Sequence, residues 1–193
     1  MDDANLKSLL SRIDALEAAQ ARRHDLDEIH AVLARYTRAV DWLDEALLAT
    51  VFWDDADIDY GFFRGRALEF RPMLMDIERG LAKRWHSAPN VTVTLRGDVA
   101  DVASYQLSIS SVPGDPTPGT RLMCAVGHYL DRLERRQGRW GIAQRKHVAV
   151  GGTFFDDVGS SGMFAVLNNL SDASPGHPDY PDAPAVAALG LGR

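Results

Sequence analysis

One cysteine, Cys124, stands in 193 residues, and that scarcity removes two classes of protein at once. No disulfide framework can form within the chain, and no cysteine-based zinc cluster can be assembled. Histidine is also sparse, six in all, with no HxH or HxxxH spacing to set two rings on one metal. Neither a metal nor an organic cofactor is expected. No run approaches the roughly 20 apolar residues of a membrane span. Basic surface is lacking too: at a net charge of −6 the chain is poorly suited to nucleic acid, whose phosphates need a cationic face. The densest basic stretch, Asp131 to Arg139, contains Asp131 and Glu134 and reads as a solvated strand end and turn. The chain opens with an acidic amphipathic segment that does not resemble a secretory leader. A cytoplasmic protein is the expectation.

What is present suits a globule of one domain with appended segments, 46% hydrophobic and 25% charged. Leu6, Leu9, Leu10, Ile13 and Leu16 recur at helical spacing and predict a short amphipathic helix over 1–24. Asp25, with Glu28 three residues on, has the capping-box arrangement and predicts a new helix there. Its stripe of Ile29, Val32, Leu33, Tyr36, Val40, Leu43 and Leu47 falls within an arc of about 100°. Asp41 lies roughly 130° from the centre of that arc, beside His30, Ala34 and Thr37, where no cap or turn explains it.

A further helix is predicted within residues 64–84, with Ala67, Phe70, Leu74, Ile77 and Leu81 as its apolar set and Pro72 near its start. Beyond it the period changes. Residues 85–98, 99–112, 121–136 and 138–152 alternate, are rich in Val, Ile, Thr and aromatics, and are separated by turn signals at Gly97-Asp98, in the proline-rich stretch 113–120, and at Gln137-Gly138. Helices followed by a run of strands argue for an α+β domain, a cone-shaped barrel with helices packed on a strongly curved, mostly antiparallel sheet enclosing a pocket. The domain should span 25–152, with 153–193 forming a C-terminal flap and a loosely held end.

His86 follows Trp85 where the last helix gives way to strands. Histidine exchanges protons near neutral pH, and a carboxylate partner would fix its tautomer and raise its basicity. Asp41 could be that partner. His128 and His147 also lie in strands and compete for the role.

The order "LARYTRAVDWLDEALLATVFWDDADIDY", "RWHSAPNVTV" and "GHYLDRLERRQGRWGIAQRKHV" resembles the SnoaL-like branch of the nuclear transport factor 2-like superfamily over about residues 25–152. That branch includes scytalone dehydratase, a hexachlorocyclohexane dehydrochlorinase, bile-acid 7α-dehydratase and polyketide cyclases. The resemblance implies an aspartate and histidine dyad at Asp41 and His86. It further implies a supporting hydroxyl at Tyr36, one turn before Asp41, and an arginine at Arg145 after Trp140-Gly141-Ile142; register leaves Lys146 and His147 as alternatives. The implied activity is that of a cofactor-independent lyase, a dehydratase using a general base, with an isomerase or cyclase on the same dyad as the alternative. A non-catalytic module, such as the β subunit of a ring-hydroxylating dioxygenase, shares the fold. Trp42, Trp53, Phe62, Met73, Trp85, Met123 and Phe154 are the expected pocket wall, suited to a lipophilic, ring-bearing substrate. The outer sheet face of such a domain needs cover, which predicts a homo-oligomer, a dimer or trimer.

Overall fold

The structure, a computed structural model, describes residues 3–112, 114, 121–158, 166, 173–177 and 180. It begins with one unbroken helix, α1 (Asp3–Asp41), followed by the short α2 (Glu45–Ala49), β1 (Phe52–Asp59), β2 (Arg64–Arg66) and α3 (Ala67–Arg79). Five strands complete it: β3 (Arg84–Ser87), β4 (Thr92–Arg96), β5 (Val99–Ser111), β6 (Arg121–Arg136) and β7 (Arg139–Asp156). Among the described residues no helix is long and apolar enough to cross a membrane.

The helix break expected at Asp25 is absent. Nothing between Ala18 and Asp25 is a glycine or proline, so no residue there resists helical dihedrals. Asp25 has a stronger use than capping: its buried carboxylate accepts hydrogen bonds from Trp140 Nε1 at 3.0 Å and Arg135 Nη1 at 2.6 Å. The segment 1–24 is therefore the projecting start of α1 over its described part, not a separate helix. Asp44 does act as a cap, its Oδ1 taking the Leu47 N–H at 2.8 Å at the start of α2.

The seven strands form one open sheet in the order β2-β1-β7-β6-β5-β3, with β4 also paired to β5. The α+β class is as expected, while the sheet stays open instead of closing into a barrel. All pairings are antiparallel except that of β1 with β7. The β6–β7 hairpin closes at Gln137 and Gly138, with φ of 54° and 77°, the two left-handed residues of a type I′ turn. Pro89 interrupts what had read as one strand from Trp85, leaving β3 and β4 on either side.

Helices cover one face of this sheet. Ile29, Val32, Tyr36 and Val40 of α1 and Phe70, Leu74 and Met75 of α3 pack with Phe52, Ile58, Leu133, Trp140 and Ile142 in a single core. Each large apolar side chain so buried contributes about 1.5–3 kcal/mol. Ile77, expected in the core stripe of α3, is exposed, and Glu78 is buried in its stead. Glu78 lies four residues after Leu74 and three after Met75, the buried phase of this helix.

Candidate active site

β5 explains how a core can contain a site. Its residues facing the helices begin apolar, with Ala100 and Val102, and continue as Ser104, Gln106, Ser108 and Ser110, all buried. A strand alternates faces with period two, so one face of β5 passes from core to polar wall. Ser108 pairs with His86 across β3, and Ser104 pairs with Tyr129 across β6.

At the polar end, the structure brings Asp41 and His86 together. Asp41, in the last turn of α1, accepts from His86 Nδ1 at 2.7 Å through Oδ1 and from the His86 backbone N–H at 3.1 Å through Oδ2. A proton on Nδ1 leaves Nε2 with a free lone pair. Nε2 faces Glu78 Oε1 at 3.7 Å, and all three side chains are largely buried. Burial opposes the charged ring of His86. The Asp41 hydrogen bond and the charges of Glu78 and Asp41 together outweigh it and raise the histidine pKa. Burial also raises the pKa of Glu78, against the opposing pull of His86 and Arg84. Glu78 Oε2 is buried with no hydrogen-bond partner among the described residues.

Arg84 fixes this end of the site. Its Nε donates to the Asp41 carbonyl at 3.0 Å, Nη1 to the Leu81 carbonyl at 2.9 Å and Nη2 to the Ala173 carbonyl at 2.9 Å. One guanidinium thus holds the end of α1, the segment after α3 and the C-terminal stretch. A cavity of about 250 Å³ adjoins His86, lined by His30, Leu33, Ala34, Thr37, Ser87 and Val91 among others.

Tyr36 and Arg145 belong to a second, deeper cluster. Arg145 Nε and Nη2 donate to the two oxygens of Asp131 at 2.8 and 2.6 Å, and both side chains have no solvent exposure. The guanidinium lies 4.3 Å from the Tyr36 ring and 4.2 Å from that of Tyr129. The Tyr36 hydroxyl is hydrogen-bonded to that of Tyr60 at 2.8 Å, and burial raises its pKa well above the ordinary phenol value. Burial opposes the charge on Arg145, but Asp131 holds it firmly protonated. Among the described residues Arg145 Nη1 meets no hydrogen-bond partner, and neither do Ser104 Oγ, Gln106 Oε1 and His147 Nε2. The His147 ring lies tilted against those of Tyr60 at 5.0 Å and Tyr129 at 5.3 Å, and burial and the charge of Arg145 lower its pKa. Of the register alternatives, Arg145 and His147 face this interior, and Lys146 is exposed. His128 contacts Tyr105 on the other face.

The expected wall residues divide. Met123 and Phe154 are cross-strand partners two rows beyond Ala125, the partner of Ser108, and Phe154 is exposed. Trp42 packs against His177 and Tyr180 of the C-terminal stretch, and Met73 packs on the core. Phe62 and Trp85 are exposed; Trp85 precedes His86 and so takes the opposite face of β3. Trp53 does not join the group. Its indole donates to the Glu134 carbonyl at 3.2 Å and lies beneath Arg136 and Arg139. Glu134 is nine residues along β6 from Ala125, about 30 Å of strand. Of the expected flap, 153–156 continue β7 and 159–165, 167–172, 178–179 and 181–193 lie outside the described residues; Ala173, His177 and Tyr180 contact residues at the end of α1 and Arg84. Among the described residues no group of three or more His, Cys, Asp or Glu side chains is placed to hold a metal ion.

Sequence reasoning missed Glu78, Gln106, Ser108 and Asp131. Each carried a signal in its phase, Glu78 on the buried turn of α3 and the others at the parity of buried neighbours on β5 and β6.

Helices closing one face of an open, mostly antiparallel sheet, with a carboxylate and an imidazole joined where helix meets sheet, define an α+β domain of the nuclear transport factor 2-like class. The chain belongs to the SnoaL-like family, whose domain matches residues 21–146. A Novosphingobium aromaticivorans protein named for scytalone dehydratase superposes with a TM-score of 0.62 at 17% identity, covering 82% of this chain and 98% of its own. Hexachlorocyclohexane dehydrochlorinase type 3 from Novosphingobium barchaimii gives 0.62 at 19%, covering 69% and 92%. The Kfla4162 protein of Kribbella flavida gives 0.61 at 19%, covering 68% and 95%. These likenesses show a shared fold. Comparison with curated proteins gave no match.

Proposed function

We propose that the chain is a cofactor-independent lyase, a dehydratase that takes a proton from carbon with His86 and expels a neighbouring oxygen from a small, lipophilic, ring-bearing substrate. The observation that carries this reading is the Asp41 to His86 contact at 2.7 Å, which leaves Nε2 as a base facing the protein interior. Neutral Nε2 accepts the proton, the C–H electron pair forms the new double bond, and the C–O bond breaks. Asp41 stabilises the imidazolium as it forms, the role a carboxylate takes behind any histidine base. The imidazolium then gives that proton from Nε2 to the leaving oxygen, so that water departs and His86 returns to its neutral form. The Glu78 carboxylate, with Oε1 3.7 Å from Nε2, stabilises the imidazolium between the two transfers. With one nitrogen serving both transfers, proton removal and oxygen departure occur on the same side of the substrate, a syn elimination.

Gln106 Oε1 and Arg145 Nη1, buried and without a hydrogen-bond partner among the described residues, are assigned to a substrate hydroxyl and carbonyl, with the Tyr36 ring against the guanidinium at 4.3 Å. The names of two structural relatives, a dehydratase and a dehydrochlorinase, denote eliminations of water and of hydrogen chloride and support the same class. An assembly module is the reading favoured by the outer sheet face, where Trp85, Tyr105, Val126 and Leu130 are exposed. The buried, paired dyad counts against it, since a module needs no base.

The test is proton exchange. Cyclic β-hydroxyketones are incubated with the protein in deuterium oxide, and NMR follows deuterium entry beside the carbonyl while absorbance follows the conjugated enone. Enone formation lost in His86→Ala supports the dehydratase. Exchange without loss of oxygen replaces it with the isomerase or cyclase. No exchange across the panel, with no compound binding, removes base catalysis in favour of the module.

A further inference from the structure

The first 22 described residues of α1, Asp3 to His24, are all exposed, a helical arm about 33 Å long at 1.5 Å per residue. It carries an apolar stripe, yet Leu6, Leu9, Leu10, Ile13 and Leu16 remain between 43% and 68% exposed. Stepping 100° per residue, the stripe is centred roughly 145° round the helix from the stripe of Ile29, Val32, Tyr36 and Val40 that enters the core. Because α1 is unbroken, the arm's apolar side faces away from the side that meets its own domain. Among the described residues none covers it.

The stripe has the pattern of a heptad seam. Leu6 and Ile13 take position a, Leu9 and Leu16 position d, and the seam ends where Gln20 and Arg23 occupy the next two places. Leucine at d with a β-branched residue at one a position favours two strands. The flanking charges choose the partner. Arg12 falls at g and Glu17 at the following e, so in a parallel pair of identical arms Arg12 of each chain lies opposite Glu17 of the other. An antiparallel pair sets g against g and e against e, and loses that match.

We propose that the arm is a dimerisation element: two copies of this chain associate through a parallel, two-stranded coiled coil over about residues 4–20, independently of any activity in the domain. The full chain is examined by sedimentation equilibrium at micromolar concentrations, where twice the single-chain mass is expected. The Leu9→Glu/Leu16→Glu double variant should sediment as a monomer with an unchanged near-ultraviolet circular dichroism spectrum, since both positions are exposed in the single chain. Arg12→Glu or Glu17→Arg alone should weaken the dimer several-fold, and the two combined should restore it, because the cross-chain pair is re-formed with its signs exchanged. A monomeric wild type overturns the proposal. So does a dimer that survives Leu9→Glu/Leu16→Glu, which would place the interface elsewhere, as on the exposed sheet face around Trp85. A trimer, or charge reversals without effect, overturns the two-stranded parallel arrangement.

Discussion

The carboxylate of Asp41 takes both the ring N–H and the backbone N–H of His86, at 2.7 and 3.1 Å. A helix end and a strand are thereby joined through one side chain, and the ring's tautomer is fixed by the bond that fixes its place.

Asp41→Asn should preserve the fold and lose the base. An amide can accept the backbone N–H through its oxygen only by offering its NH₂ to the ring, which moves the imidazole proton to Nε2. Nitrogen-15 NMR of the histidine side chains should show Nδ1 protonated in the wild type and Nε2 protonated in the variant. With a turned-over substrate, the rate should fall about 10²- to 10⁴-fold, the usual contribution of general base catalysis.

Glu78→Gln should lower the pKa of His86. Burial alone would depress it, and the negative charge of Glu78 is one of the influences that raise it, so removing that charge moves the titration toward acid. NMR titration should place the wild-type midpoint above an ordinary histidine's and the variant's below the wild type's. The acid limb of kcat/KM, which reports the free enzyme's base, should move the same way.

The same two groups set how stability responds to pH. His86 and Glu78 both have raised pKa values in the folded chain, so folding takes up protons. The contribution of His86 is full below the ordinary histidine range and is lost as pH rises through its folded value; that of Glu78 is lost from the ordinary carboxyl range upward. Urea midpoints should therefore decline from weakly acid to alkaline pH through these groups. Glu78→Gln should flatten the carboxyl portion of that decline.

Arg145→Ala should destabilise the fold by about 3–5 kcal/mol, because Asp131 is left charged and buried without its partner. Replacing both by Met and Leu should cost much less, since no charge is then stranded. Denaturant unfolding of the single and double variants measures the difference.

Trp53→Phe should leave turnover and ligand binding unchanged. Its indole serves Glu134, Arg136 and Arg139 at the far end of the sheet. A loss of about 1 kcal/mol of stability is expected from the cation–π contacts, read from the unfolding midpoint.

Asp41 stood out in the sequence because it lies off the core arc, uncapped, but a helix position alone fits a solvated flank equally well; its pairing with His86 was legible only through the resemblance to the SnoaL-like motif order. Glu78 was not legible by the same means, because seeking apolar residues at helical spacing selects Ile77 and passes over the charged neighbour that takes the buried phase. Asp131 was hidden among arginines and read as solvated, though its parity with Tyr129 and Leu133 puts it inside. The break at Asp25 failed for a different reason. A capping box is a local signal, and the hydrogen bonds from Trp140 and Arg135 come from more than a hundred residues away. The sequence of helices first and long antiparallel strands after was readable, since periodicity is a local property; the continuity of α1, the split at Pro89 and which polar residues the fold buries are decided across the sheet.

Arg84 binds three stretches that are distant in sequence, ending on the carbonyls of Asp41, Leu81 and Ala173. Helix ends ordinarily fray alone, and their amides exchange with solvent at low free-energy cost. Here the last turn of α1 and the C-terminal stretch are held by the same guanidinium. Amide hydrogens near Trp42, Arg84 and Ala173 should thus exchange as one cooperative unit, and its opening free energy sets how often Asp41 and His86 part.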